Sequence, residues 1–566
     1  MAGVGRRVPP WALALLLGAL YVAVAPPTTD LAAQEHRVEL ARQGVWLYDL
    51  SWFGGHHLPS YSVLLPLLGA LVGATVVGAL AAVVAAWAFA RLAAGWWPAT
   101  EDPRPWRDPA TVASWWFAAG IGGLLFTGRM TFVLGAALGL VALVLAADVR
   151  VSDRGREIGA AAAALLTALA SPVAALFLAL AGLAWWIGAP ASRMVAATVT
   201  ATAFGVALLL SVSFPGGGSE PFVASALWPA LIALAATVLV LPARERALRA
   251  GAALYLAAIV LAGLLDTPMG GNATRLAALA GGPLLAAALL ARERDGSTGR
   301  RGRAAGAVGA LLLVAFLYWQ WYPPVRDAAQ AWGDRAARAG YWAPLADQLR
   351  ERLRADPARV EIPPTARRGE ARWIGPEIPL ARGWIRQLDR DRNPLFYEGR
   401  PTADRYRRWL DENAVGWVAV PGAEPDHASR DELALLRDPA ARRAIGLDEA
   451  WRNADWTLYR VTDPAPLVAA AADRESDDPL GFPGGGPDLR VAELRADRVV
   501  LRGSGGGTFV LRIRYSPYLQ VMHGTACLST APGGWTHVRS MVHGTVTLGT
   551  GLPGPWRRAQ PDDCDR

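Results

Sequence analysis

Up to Trp321 the chain is a succession of apolar runs of Ala, Leu, Val and Gly separated by short polar loops. Beyond that point charged residues interleave with apolar ones, and proline and glycine cut the chain into short segments. About 20 predominantly apolar residues in a helix cross the hydrocarbon core of a bilayer. Runs that approach this length lie at 9–26, 66–90, 111–127, 130–147, 158–170, 173–190, 194–213, 223–241, 250–265, 276–291 and 304–321. They predict an α-helical polytopic membrane bundle of about eleven spans over residues 1–321. The two runs flanking Ser171 and Pro172 also fit one long kinked helix.

The second pattern predicts two further domains. Residues 322–462 read as α/β, with amphipathic helices around 325–355, 402–413 and 429–437. Short apolar strands at 359–362, 415–420 and 456–461 lie between and after them. A linker rich in Asp, Pro and Gly covers 463–487. From 488 to 566, period-two alternation at 489–494, 498–501 and 508–515 with glycine-rich turns predicts a small β-sandwich.

Composition fits this division: 53% hydrophobic and 18% charged is too apolar for one soluble enzyme and too polar for a bundle alone. All 56 basic residues are arginine, and they sort between alternate loops. Seventeen fall in one set, Arg91, Arg150, Arg244 and Arg301 among them, whereas the opposite set holds only Arg37, Arg42, Arg129 and Arg275. The positive-inside bias makes the first set cytoplasmic, which puts the N-terminus inside and residues 322–566 outside the plasma membrane. That bias also accounts for the net charge of +8 without nucleic acid. Trp pairs at 96–97, 115–116 and 185–186 lie at span ends and read as an interfacial belt. Arg6 and Arg7 before a short apolar run ending at Ala25 resemble a cleavable signal, but Pro26-Pro27 argues against cleavage. The two cysteines, Cys527 and Cys564, both fall in the outer region, where a disulfide between them is expected; two unpaired thiols are the alternative.

No P-loop, nucleophile elbow or Cys/His metal spacing occurs, and no metal or other cofactor is expected, although a divalent ion stays open. Ionisable side chains are nearly absent from the spans, which weakens an ion-coupled transport reading. They gather instead in the loops assigned outside: Asp30, Glu35, His36, Arg37, Asp49, His56 and His57 after the first span, then Arg129, then Asp266 and Arg275.

The first span, Thr28-Thr29-Asp30, a long amphipathic loop, Gly54-Gly55-His56-His57-Leu58-Pro59-Ser60-Tyr61 and a helix ending Phe89-Ala90-Arg91-Leu92 follow one another. In that order they resemble the amino-terminal half of the GT-C superfamily of membrane glycosyltransferases. The stretches around Thr267–Leu276, Ala381–Asp389 and Asn393–Tyr397 are similar to actinobacterial membrane proteins of this build. The resemblance implies transfer of a sugar from a polyprenyl-phosphate donor to an acceptor in the cell envelope, with inversion. One Asp stands where relatives carry Asp-Glu.

Sugar transfer needs a base for the acceptor hydroxyl and positive charge on the departing phosphate. Asp30 suits the first role. Arg129 and Arg275 suit the second, aided by His56 or His57, with Asp266 and Asn272 beside the substrate. Each has another explanation: Asp30 as the cap of a helix starting at Leu31, the arginines as headgroup contacts, the histidines as polar residues before a helix. A lipid or glycan transporter or flippase, and a non-catalytic scaffold that binds envelope polymer, are the alternative functions.

Overall fold

The computed structural model describes residues 8–98, 104–294, 300–471, 488–504, 507–540 and 544–552. The chain divides into two compact units, residues 1–38 with 59–333, and residues 39–58 with 334–566.

The first unit is helical. Among the described residues, seven helices are long and apolar enough to cross a membrane: Ala74–Trp96, Pro109–Thr127, Met130–Ala147, Pro190–Ser213, Arg246–Leu264, Gly270–Glu293 and Ala304–Ala331. An eighth is reached only if Trp11–Val24 and Thr29–Arg42, bent by 76°, count as one. The eleven expected from apolar runs are not reached by this measure, for local reasons. Pro172–Gly188 and Ala224–Val240 are apolar but shorter, and Asp153–Ala170 opens with Asp153, Arg154, Arg156 and Glu157. At Ser171 the backbone turns extended and the hydroxyl accepts from Ala174 N at 3.3 Å, so two capped helices replace one kinked one. Gly73, at φ +90°, a conformation glycine adopts freely, separates Leu64–Val72 from Ala74–Trp96. Leu71, Val212, Leu239, Leu264 and Leu311 stand exposed on the helices, as expected of side chains that face lipid rather than water. Alanine fills much of the interior, including Ala82, Ala85, Ala113, Ala118 and Ala164, and small side chains let neighbouring backbones approach closely.

The second unit carries three sheets of described strands besides a two-residue pairing of Tyr48–Asp49 with His56–His57. In the α/β part Arg359–Glu361 pairs in parallel with Val415–Pro421, which is followed by antiparallel Trp456–Val461 and Leu447–Arg452. Helices Ala339–Ala355, Ala403–Glu412 and Arg430–Arg437 accompany it. The expected helix over 325–355 is instead split: Arg300–Ala331 runs on through Pro323 and Pro324, and a new helix starts at Ala339.

The C-terminal part has two four-stranded sheets. One holds Ala526–Thr530, Trp535–Ser540, Gly507–Arg514 and Val468–Ala470 in that order. The other holds Leu519–His523, Gly544–Thr550, Arg498–Ser504 and Asp488–Leu494. Alternate residues Phe509, Leu511 and Ile513 join Val499, Leu501, Val538, Val546 and Leu548 in one buried cluster, the period-two signature of paired inner faces. Val468–Ala470, inside the expected linker, is a strand of this part. Cys527 lies on Ala526–Thr530; its expected partner Cys564 lies outside the described residues. Tyr48 and Leu50 enter the same cluster, while Trp52 and Phe53 pack in the α/β core.

Candidate functional site

Asp30 lies in the first turn of helix Thr29–Arg42, where a carboxylate is favoured by the positive end of the helix dipole. Its side chain is not spent on capping: Oδ2 accepts from Arg129 Nε at 2.9 Å. Arg129 immediately precedes helix Met130–Ala147, after the 3-10 turn Leu125–Thr127 and Gly128. Gly128 has φ +78°, and a Cβ there would collide with Thr28 Oγ1 and approach Leu31 N to 2.6 Å. Only glycine lets this turn sit against the start of the helix that carries Asp30. Gln34, buried one turn further on, fastens both sides of Arg129: its amide nitrogen donates to Gly128 O, and its amide oxygen accepts from Thr131 N at 3.0 Å.

Arg275 arrives from a third segment. It stands between the 3-10 turn Gly270–Thr274 and a π-helical turn, Ala277–Gly281, a helix type that concentrates at functional positions. Buried Tyr255 fastens both sides of Arg275, its hydroxyl donating to Ala273 O and accepting from Ala277 N at 3.3 Å. The Arg275 guanidinium comes within 4.0 Å of Asp30 Oδ2 and lies 5.6 Å from the centre of the Phe132 ring. Asp30, Arg129 and Arg275 keep 20%, 27% and 18% of their side-chain surface open, so a ligand can reach all three. Close by, the Arg37 guanidinium covers the Tyr61 ring at 4.0 Å. Burial raises the Tyr61 phenol, against the pull of Arg37 and with the help of Asp30.

A cavity of about 480 Å³ opens among the helices, lined not by the trio itself but by residues next to Arg275 in sequence or space. Phe132, Tyr255, Leu276 and Ala277 line it near the arginines, and Phe89, Phe117, Phe177 and Phe316 continue an apolar wall. Among the described residues, its charged lining is confined to Arg244, Glu245 and Arg246.

The other expected site residues have these surroundings. His56 and His57 belong to the second unit. There His56 stacks on Trp52 at 5.4 Å and lies 3.6 Å from Asp49, while His57 Nε2 is 3.1 Å from Ser516 Oγ. Asp266 is exposed in the turn after Arg246–Leu264, and Asn272 lies in the 3-10 turn. No side-chain bond ties either one to the trio among the described residues. Gln34, Thr131 and Tyr255 were not singled out in the sequence, because an uncharged residue in a helix gives no signal until its partners are known. Among the described residues, no group of three His, Cys, Asp or Glu has the arrangement of a metal site.

The stretch Ala381–Tyr397 forms a closed network in the second unit. Arg382, almost fully buried, pairs with Asp389 at 2.6 Å, Glu432 at 2.9 Å and Glu361 at 3.7 Å. Asn393 Nδ2 and Tyr397 Oη donate to Asp389 at 2.8 and 2.6 Å, and Trp409 Nε1 donates to Asn393 Oδ1 at 2.8 Å. So enclosed a network is a structural clasp for the α/β part. No protein-family model matches this chain, and no curated protein matches it.

Proposed function

We propose that the chain is a membrane glycosyltransferase of GT-C type, using a polyprenyl-phosphate sugar as donor and an envelope glycan or lipid as acceptor. The observation that carries the reading is one carboxylate held by two guanidiniums, each from a different part of the chain, beside an apolar cavity. Bidentate guanidinium chemistry suits phosphate oxygens. An apolar cavity of this volume is in the range of ligand pockets and suits an isoprenoid chain.

In this scheme the donor phosphate competes with Asp30 for Arg129 and Arg275. Released from them, the carboxylate takes the proton of the acceptor hydroxyl as its oxygen attacks the anomeric carbon. The bond from that carbon to the phosphate oxygen breaks, the electron pair leaves with the polyprenyl phosphate, and the two arginines balance its charge. Asp30 then gives its proton to water. The positive-inside bias supports an outer location for this chemistry. A lipid or glycan transporter would call for charged side chains along the cavity, and its charges are limited to one short segment.

The test is binding of a short-chain polyprenyl phosphate to the full chain in nanodiscs, read by native mass spectrometry. Arg129→Ala and Arg275→Ala should each weaken it by about tenfold, the scale of one lost charge-assisted contact. Unchanged binding in both variants would remove the donor site.

A further inference from the structure

Three arginines of the second unit, Arg359, Arg392 and Arg514, meet around Trp535 and the loop Phe53–Gly55, and Arg512 adds its charge near Arg359. Arg359 is 1% exposed; its Nη1 donates to Asn413 O at 2.8 Å and its Nη2 to Arg512 O. Arg392 Nη1 donates to Gly55 O at 2.7 Å, Arg512 Nη1 to Pro466 O at 2.5 Å, and Arg514 Nη1 to Gly533 O. Every one of these acceptors is a main-chain carbonyl, and none of the four arginines forms an ion pair with a carboxylate among the described residues. Carbonyls satisfy N–H groups but carry no net charge, so the positive charge stays uncompensated. Asp391, Asp411 and Glu412 attract it from a distance, and Asp411 is itself paired with Arg407 at 3.0 Å.

Two further observations mark the place. Arg359 Nε and Arg514 Nε are buried and meet no acceptor, although an unmade bond from a buried charged group is costly. The loop facing them holds three successive residues in the positive-φ region, Phe53 at 58°, Gly54 at 73° and Gly55 at 134°. The glycines adopt it freely, but Phe53 is strained there, and such strain gathers at ligand sites. A Cβ on Gly54 would come within 2.8 Å of Arg359 Nη2 and 2.9 Å of Trp535, so the loop is pressed onto the cluster. The Arg514 guanidinium lies 3.8 Å from the centre of the Trp535 ring and that of Arg359 5.6 Å from it. Burial and then the neighbouring arginines push Arg359 down to about 9. Burial, followed by Arg392, pushes Arg514 down to about 10.

We propose that Arg359, Arg392, Arg512 and Arg514 form an anion site for a phosphate-bearing ligand, separate from the Asp30 site. An oxyanion there would supply the missing charge and the missing acceptors. The same chemistry is offered by a soluble polyphosphate group and by the headgroup of an anionic lipid.

The experiment titrates tripolyphosphate into the full chain in neutral detergent at constant ionic strength, by calorimetry. Saturable binding is expected, weakened at least about tenfold in Arg514→Gln and further in Arg392→Gln/Arg514→Gln, with part recovered in Arg514→Lys. Arg512→Gln, whose side chain holds only the Pro466 carbonyl, provides a second variant should Arg514→Gln fail to fold. A parallel arm compares thermal stability in phosphatidylglycerol and phosphatidylcholine nanodiscs. Stabilisation by the anionic lipid that the variants lose, without tripolyphosphate binding, assigns the site to a headgroup. Equal behaviour of wild type and variants in both arms, or no response in either, overturns the proposal.

Discussion

Asp30 and Arg129, 99 residues apart in the chain, meet at 2.9 Å because Gly128 and Gln34 leave the turn between two helices no other seat. The pair is open enough to exchange partners, which is what a site that binds an anion requires. A closed pair of this kind would be a structural brace.

Gly128→Ala should misplace Arg129. The substitution forces a Cβ into a positive-φ position and against Thr28 Oγ1, at a cost of about 1–3 kcal/mol. A lowered melting temperature together with weakened polyprenyl-phosphate binding is expected. Wild-type values for both would show that Arg129 is not placed by this turn.

Tyr255→Phe removes the hydroxyl that joins Ala273 O to Ala277 N. It should cost about 1–3 kcal/mol, since both main-chain groups are buried. The Arg275 contribution to lipid-phosphate binding should fall with it, so the Arg275→Ala and Tyr255→Phe effects should combine less than additively in a double-mutant cycle.

In the α/β part, Asp389→Asn should destabilise by less than the roughly 3–5 kcal/mol of an uncompensated buried charge, because Glu432 still pairs with Arg382 at 2.9 Å. Glu361 gives the clasp a pH dependence. Burial, and then Glu432, raise Glu361, so its protonated form is the one the fold favours. The stability it contributes is therefore present at low pH and declines as pH rises from the ordinary glutamate value through the raised one. Glu361→Gln should flatten that decline in urea melts recorded from pH 5 to 9. An unchanged slope would put its origin elsewhere.

The orientation is tested with single cysteines in a background where Cys527 and Cys564 are serine. Ala191→Cys should react with an impermeant maleimide only after the cells are opened, and Ala454→Cys should react in intact cells. The same accessibility for both would refute the outward placement of the second unit.

Much of the fold was legible because its periodicities are strong. The strands at 359–362, 415–420 and 456–461 follow from their apolar runs, and the C-terminal strands from alternation. Leu447–Arg452 was not found: it is an edge strand whose residues are mostly exposed, so Leu-Asp-Glu-Ala-Trp-Arg carries no inward pattern. Residues 39–58 read as a loop of the membrane half, because Trp52 and Phe53 acquire a core only from segments more than 280 positions later. Asp30, Arg129 and Arg275 stood out through the scarcity of other charges around them. The arginines around Trp535 did not, since each taken alone looks like one more solvated arginine among 56 basic residues.

We propose, as the central claim, that Asp30 is the base of a sugar transfer from polyprenyl phosphate. Its most direct test is single-turnover transfer from a polyprenyl-phosphate sugar to a hydroxyl acceptor by the reconstituted full chain, run beside native mass spectrometry of the lipid phosphate. Asp30→Asn should lower the transfer rate by about 100- to 10,000-fold while the lipid phosphate still binds, because Arg129 and Arg275 remain. Transfer by Asp30→Asn at the wild-type rate, or a wild type that binds the lipid phosphate and releases no sugar to any acceptor, would contradict it.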